Sequence, residues 1–229
     1  MKTDVIKALN SVKYRVMTRR CDLEKIYSLR YKCYRAERSI PEDPCGIMTD
    51  PFDNSENCIH VAVEMNGEIL AAVRLHLISR LSHASPTLEV FPEIMEYIDD
   101  GQTVLDPTRF VTDPDARKEK TSLHFLALRI PFLAAMFYDI DLALAPVREE
   151  HIAFYRRYLG YSVEGEPRSY PGLKKPVCLL TADFRKQRDA VLARTPVFGP
   201  MDKFPDAKIS FPELSKVYAP SIKRNFHAA

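Results

Sequence analysis

Two extended runs that meet at Asn66-Gly67 constrain this chain more than any other feature. Cys58 to Met65 alternates, Asn66-Gly67 supplies the two left-handed positions of a type I′ turn, and Glu68 to Leu77 continues extended. The pair reads as a β-hairpin, which points to an antiparallel sheet. Ile59, Val61 and Val63 face one side, as do Ile69, Val73 and Leu75 on the second strand. Arg74 and His76 then face the opposite side.

The other segments arrange around that hairpin. Residues 1–20 read as a leading strand or arm. Asp22 is placed to cap a helix through about Arg38, on which Leu23, Ile26, Tyr27, Arg30 and Tyr34 share one stripe. Arg30 is a cation on an apolar stripe and needs a carboxylate or a path to solvent. Pro41, Pro44 and Gly46 break the pattern, and residues 40–57 read as a long loop rich in Asp and Asn. After the hairpin come a loop with a short helix ending near Gly101, then a strand from Thr103 to Thr112. Pro107 interrupts that strand, which implies an edge or a bulge. Thr121 or Ser122 can cap a helix to about Tyr138, with a kink expected at Pro131. Leu142 to Val147 reads as a strand and Glu149 to Leu159 as a helix closed by Gly160. Tyr161 to Glu166 and Val177 to Asp183 read as a last strand pair, and Phe184 to Arg194 as a helix. A domain of residues 1–194 is thus followed by a tail, 195–229, rich in Pro and Phe and packed on that domain or on a partner. The order is mixed α/β, a largely antiparallel sheet with a helical crossover.

Composition narrows the function classes. The 229 residues are 46% hydrophobic and 28% charged, enough for one α/β domain with a full core. Lys+Arg 33 against Asp+Glu 31 leaves +2, which predicts no bulk attraction to nucleic acid. The longest apolar run, Phe125 to Phe137, holds Arg129 and Pro131 and falls short of the roughly 18 residues of a membrane span. The charged N-terminus does not read as a signal peptide. Cys21, Cys33, Cys45, Cys58 and Cys178 form no C-x-x-C pair and read as reduced thiols in a cytosol. The histidines show no metal spacing, so no metal is expected.

Four local patterns carry chemistry. They are Arg30-Tyr31 with Tyr34, Asp50-Pro51-Phe52-Asp53, Arg74-Leu75, and Asp106-Pro107-Thr108-Arg109-Phe110. Each alone reads as readily as a structural ion pair. Together, their order resembles the acyl-carrier-protein-dependent branch of the GNAT superfamily, which holds the acyl-homoserine-lactone synthases and the N-acyl amino acid synthases. The lactone synthases carry Arg on the first helix, then D-x-x-D, then R-L on a strand, then E-x-x-R-F. This chain has Arg30, Asp50-x-x-Asp53, Arg74-Leu75 and Asp106-x-x-Arg109-Phe110, with Asp where that family has Glu. Thr87 to Ile98, Val147 to Tyr161 and Arg168-Ser169-Tyr170-Pro171 fit the N-acyl amino acid synthases better. The resemblance spans about residues 15–184.

The resemblance implies a GNAT-like acyl-CoA N-acyltransferase fold: a mixed, mostly antiparallel sheet with a splayed parallel strand pair, flanked by helices. In such a splay the bulged strand binds a pantetheine arm through exposed backbone groups, much as β-augmentation captures a peptide. Phe110, Val111 and Thr112 would be that stretch. CoA-dependent members cradle the pyrophosphate on a glycine-rich turn. Here no glycine occurs between Gly101 and Gly160, and Arg117, Lys118 and Lys120 stand at that point instead. A basic rim suits docking of an acidic acyl carrier protein. The donor implied is the acyl-phosphopantetheine of that carrier, with no further cofactor. Asp106 is either a base or the positioning partner of an arginine. Tyr155 is the candidate acid for the leaving thiolate, although its distance to Leu159-Gly160 is one residue longer than the common pattern. Arg30 and Tyr34 with Asp50 and Asp53 would tie helix and loop over an acceptor cavity, or form a buried network. Arg74 or Arg109 is suited to gripping an amino acid carboxylate bidentately.

The implied activity is transfer of a long-chain fatty acyl group from acyl carrier protein to the α-amine of an amino acid. The expected location is the cytoplasm, with product drawing the enzyme towards a membrane. Three alternatives stand beside it: an acyl-homoserine-lactone synthase using S-adenosylmethionine, the acyltransferase of ornithine-lipid synthesis, and a non-catalytic carrier-protein binding module.

Overall fold

The computed structural model describes residues 2–119 and 123–218. The chain opens with a short helix, α1 (Lys2–Ala8), before the first strand, β1 (Val12–Met17). The leading segment is therefore helix and strand rather than strand or arm alone. Helix α2 (Arg20–Ala36) starts before Asp22, and Arg19 at its cap offers no side-chain bond. Asp22 sits instead in the first turn, paired with Arg19 at 2.8 Å and Arg15 at 3.2 Å, where an anion also complements the helix dipole.

The hairpin β2 (Cys58–Met65) and β3 (Glu68–Ile78) forms as expected, with Asn66 at φ +54° and Gly67 at φ +81°. One expectation within it fails. Val63 pairs with Ala71 but Glu64 pairs with Ile69, so Leu70 is an extra residue and the alternation resets. Ile69 consequently packs with the α2 cluster, on the face opposite Val73 and Leu75.

Helices α3 (Pro86–Val90) and α4 (Met95–Asp99) precede β4 (Val104–Thr112), and α5 (Pro114–Glu119) follows it. Helix α6 (Leu123–Phe137) crosses to β5 (Leu142–Val147), with Pro131 inside it. The proposed caps Thr121 and Ser122 lie outside the described residues. Then come α7 (Ile152–Leu159), closed by Gly160 at φ +72°, β6 (Ser162–Arg168), β7 (Val177–Asp183) and α8 (Phe184–Arg194). The seven strands form one sheet in the order β1-β2-β3-β4-β5-β7-β6.

Two layers cover this sheet. Val61, Val73, Leu75 and Leu105 face α6, whose Leu126, Ile130 and Ala134 complete the main core. On the other face Ala62 and Ala72 are small enough to let α2 lie close, and Ile78 and Val104 pack under α3 and α4. Residues 195–218 run against α6 and bury Phe198, Ala207, Phe211 and Tyr218. Among the described residues no helix is long and apolar enough to cross a membrane.

The feature that builds the site is the β4–β5 pair. It is parallel and holds at two positions, Val104 with Leu142 and Leu105 with Ala143. Beyond them β4 stays with β3 as far as Thr112, while β5 stays with β7 as far as Val147. The sheet therefore splits, and the far half of β4 has a free edge. Pro107 pairs with Leu75 in this half, where a missing N–H is tolerated. The bulge itself falls two residues later: Arg109 and Phe110 together oppose Val73, with Arg109 at φ +51°.

Candidate active site

Three arginines and two aspartates meet under α2. Asp50 caps a 3-10 turn over Pro51–Asn54, accepting from Phe52 N at 3.0 Å, while Asp53 accepts from Asp50 N at 2.9 Å. This box aims both carboxylates at the sheet. Asp53 Oδ1 accepts from Arg30 Nη1 at 2.7 Å and from Arg74 Nη1 at 2.8 Å. Asp50 takes Arg74 Nη1 at 2.5 Å on one oxygen and Arg109 Nη2 at 2.6 Å on the other. Arg74 Nε also donates to Thr108 Oγ1 at 3.0 Å. Arg30 and Arg74 are fully buried. Burial alone would raise the carboxyl of Asp50, but Arg74 and Arg109 override it and hold that group well below the usual range.

Two histidines complete the cluster as neutral rings. His60 Nδ1 accepts from Arg30 at 3.1 Å, which leaves Nε2–H to donate to the Asp53 carbonyl at 3.0 Å. Burial and the Arg30 charge push His60 down to about 4. His76 Nε2 donates to the Phe52 carbonyl at 3.1 Å, and burial and Arg74 push it down to about 3. Its Nδ1, like Arg74 Nη2 and Arg30 Nε, is buried with no hydrogen-bond partner among the described residues.

Asp106 belongs to a different arrangement. Its carboxylate accepts from Ser85 Oγ at 2.6 Å and Thr87 Oγ1 at 2.8 Å, and Ser85 is also the N-cap of α3. Asp106 is wholly buried, and burial raises it despite those two hydroxyls. It thus pins β4 to α3.

A cavity of about 380 Å³ fills the split between β4 and β5. It is bounded along the strands by Pro107–Thr112 and Leu144–Val147. Towards α6 and α7 its walls are mainly apolar, with Leu128, Phe154 and Leu159 beside His124 and Tyr155; towards α2 they include Tyr34, Glu37 and Lys175. Of the residues singled out in the sequence, Tyr34, Arg109, Phe110, Val111, Thr112 and Tyr155 line it. Arg30, Asp50, Asp53, Arg74 and Asp106 stand behind its wall. Tyr34 and Arg109 are in contact there, with the guanidinium 5.9 Å from the ring centre. Burial raises the Tyr155 phenol well above its ordinary value, so it stays protonated. Arg117 and Lys118 fall on α5 with side chains outside the described part of the structure, and Lys120 lies outside it altogether. Among the described residues no group of three His, Cys, Asp or Glu is arranged to hold a metal ion.

Sequence reasoning missed two groups. Arg148, at the end of β5, reaches Glu37 at 2.9 Å and Glu150 at 3.2 Å on the cavity rim. Lys175 lies in the Pro/Gly stretch between β6 and β7, which reads as a mere connection. On the far side of α7, Arg156, Arg157 and Arg194 surround a concave surface with Gly160, Tyr161 and Gln187.

A mostly antiparallel sheet whose parallel pair splays open over a cavity is the acyl-CoA N-acyltransferase fold, and the protein is an acyltransferase. The family model of the N-acyl amino acid synthase FeeM matches residues 25–183, and the chain belongs to that family. Among solved structures, FeeM from uncultured soil microbes superposes with a TM-score of 0.64 at 14% identity, over 80% of this chain and 96% of that one. BjaI, a CoA-dependent acyl-homoserine lactone synthase, gives 0.60 at 16% identity, over 81% and 90%. An N-acetyltransferase-like protein from Lactobacillus plantarum gives 0.52 at 17%, over 75% and 97%. No curated protein matches the sequence.

Proposed function

We propose that this enzyme moves a fatty acyl group from acyl carrier protein to the α-amine of an amino acid. The observation that carries the reading is the cavity through the split sheet. It runs along the free edge of β4, has mainly apolar walls towards α6, and opens to charged groups towards α2. A pantetheine arm would pair with the exposed backbone of Phe110 to Thr112, which puts its thioester beside the bulge at Arg109. The acyl chain has Leu128, Phe154 and Leu159 to cover it. In the transfer a C–S bond breaks and a C–N bond forms. The amine gives up one proton and the thiolate gains one. Tyr155, protonated and on the cavity wall, is the group suited to supply the latter.

The carrier protein as donor is supported on two counts. A diphosphate needs close approach of backbone, and the stretch from Gly101 to Gly160 offers no glycine for it. Arg156, Arg157 and Arg194 give the outer face of α7 a cationic concavity that suits an acidic partner. Asp106, locked between Ser85 and Thr87, fits a positioning role better than that of a base.

The test is incubation of the purified enzyme with palmitoyl carrier protein and the twenty common amino acids, read by mass spectrometry. Masses of acyl plus amino acid support the reading. A lactone formed on adding S-adenosylmethionine, or binding with no product, overturns it. Palmitoyl-CoA in place of the carrier is expected to be at least about tenfold poorer in kcat/KM.

A further inference from the structure

An amino acid acceptor carries a carboxylate next to the amine, and the cavity must receive it. The sequence offers Arg74 and Arg109 for this, and the structure removes both. Arg74 is fully buried behind the wall and bound to Asp50 and Asp53. Arg109 is on the wall, but two of its nitrogens hold Asp50, at 3.0 and 2.6 Å.

Two other arginine or lysine side chains line the cavity among the described residues. Arg148 is held by Glu37 and Glu150. Lys175 makes no hydrogen bond or ion pair with any described residue. It acts on Glu150 through space, and Glu150 is already paired with Arg148. Lys175 is nonetheless well placed. Leu173 N donates to Tyr170 O at 3.0 Å, and Lys174 N donates to Ser39 O at 3.1 Å, tying this loop to the end of α2. Two residues on, Val177 pairs with Arg168 as β7 begins. The backbone is thus anchored on both sides of Lys175, while the side chain is exposed on the cavity lining, with Glu150 near it but ion-paired with Arg148 instead. An anchored backbone that carries an ammonium hydrogen-bonded to no described residue suits a group that receives an anion.

We propose that Lys175 receives the carboxylate of the acceptor and so selects amines that bear one on the α-carbon. This deepens the reading of the enzyme as an amino acid acyltransferase and rests on it. Glu37, across the same rim, discourages a second anion and favours a single orientation of the acceptor.

The experiment compares wild type with Lys175→Ala and Lys175→Arg, using palmitoyl carrier protein as donor. Each is assayed with the twenty common amino acids and with their carboxamides, which keep the amine and lose the charge. Wild type is expected to prefer the acids. Lys175→Ala raises KM for the best acid about tenfold, leaves kcat within about twofold, and leaves KM for the matching carboxamide unchanged. Lys175→Arg keeps the preference. An unchanged KM in Lys175→Ala, or an equal rise for acid and carboxamide, overturns the inference alone. A wild-type enzyme that acylates no amino acid ends both this inference and the reading beneath it.

Discussion

Arg74 and Arg129 are buried on opposite faces of one sheet and satisfied by opposite chemistry. Arg74, on β3, faces carboxylates: Asp50 at 2.5 Å and Asp53 at 2.8 Å. Arg129, on α6, pairs with no carboxylate among the described residues. It donates to the carbonyls of Val197 at 2.9 Å, Ala207 at 2.6 Å and Gly199 at 3.0 Å, and lies 5.5 Å from the ring centre of Tyr14. The first solution closes a loop over the sheet by opposite charge. The second fastens a tail by dipoles. They differ in what happens when the arginine is removed.

The largest effect is expected at Arg74. Arg74→Ala leaves Asp50 to Arg109 and Asp53 to Arg30, and removes the buried cation that joins the two carboxylates to each other and to Thr108. Breaking such a pair costs about 3–5 kcal/mol. Denaturant unfolding should show a loss of that size, and acyl transfer should vanish with the collapse of the 50–54 turn. A loss under about 1 kcal/mol would break the comparison, because it would mean that Arg30 and Arg109 hold the two carboxylates without the arginine between them.

Arg129→Met is expected to cost less, about 2 kcal/mol. The three carbonyls carry no formal charge, and the segment that bears them is half exposed around Met201–Lys203, so it can lift and regain water. Limited proteolysis should cut within residues 195–218 while the sheet stays folded. Cleavage spread over the whole chain would show that the tail is part of the cooperative core rather than a strap on it.

The same contrast explains what the sequence revealed. An arginine that needs carboxylates leaves a record, since Asp50, Asp53 and Arg109 must be those residue types. That is why the cluster was legible from the order of its motifs and the family they resemble, and why the β2–β3 hairpin was legible from alternation and its Asn66-Gly67 turn. An arginine that needs carbonyls leaves no record, since Val197, Gly199 and Ala207 contribute backbone alone. Register is equally silent: the extra Leu70 that turns Ile69 over belongs to the pairing of β2 with β3, and the left-handed Arg109 to that of β3 with β4, not to any single run of letters. Pro107 announced a disturbed strand but not its position. Lys175 was hidden for another reason. Its value comes from the cavity beside it, and a splay between two distant strands cannot be read from the loop that carries it.

Protonation gives the comparison a third axis. His60 and His76 sit among the carboxylate-bound arginines as neutral rings, lowered to about 4 and about 3. Unfolding releases them to about 6.5. Between roughly pH 6.5 and 4 the unfolded chain therefore binds more protons, and stability must fall as the pH falls. Each ring contributes a slope of about 1.4 kcal/mol per pH unit in that window. Urea unfolding at pH 7, 6 and 5 should show it, and His60→Asn should remove about half. A flat profile would place protonated rings inside the cluster and contradict the tautomer that Arg30 imposes. Among the described residues no such pair of histidines flanks Arg129, so its variant should keep the full slope.

The smallest effect sets the baseline for the others. Arg20 and Glu24 form an i,i+4 pair on α2 at 3.3 Å, a distance not far from those in the buried cluster. Arg20 is 95% exposed there and Glu24 58%. Water already stabilises both charges, and holding two long side chains together costs rotamer entropy. The orientation is also the less favourable one, with the cation nearer the N-terminus of the helix. Arg20→Ala should therefore change unfolding free energy by no more than about 0.5 kcal/mol, and it leaves the cavity untouched, so KM and kcat should stay at wild-type values. If Arg20→Ala proved as costly as Arg129→Met, proximity of charges rather than exclusion of water would govern these arginines. A near-zero result assigns the roughly 3–5 kcal/mol at Arg74 to burial, which an exposed pair of similar length lacks.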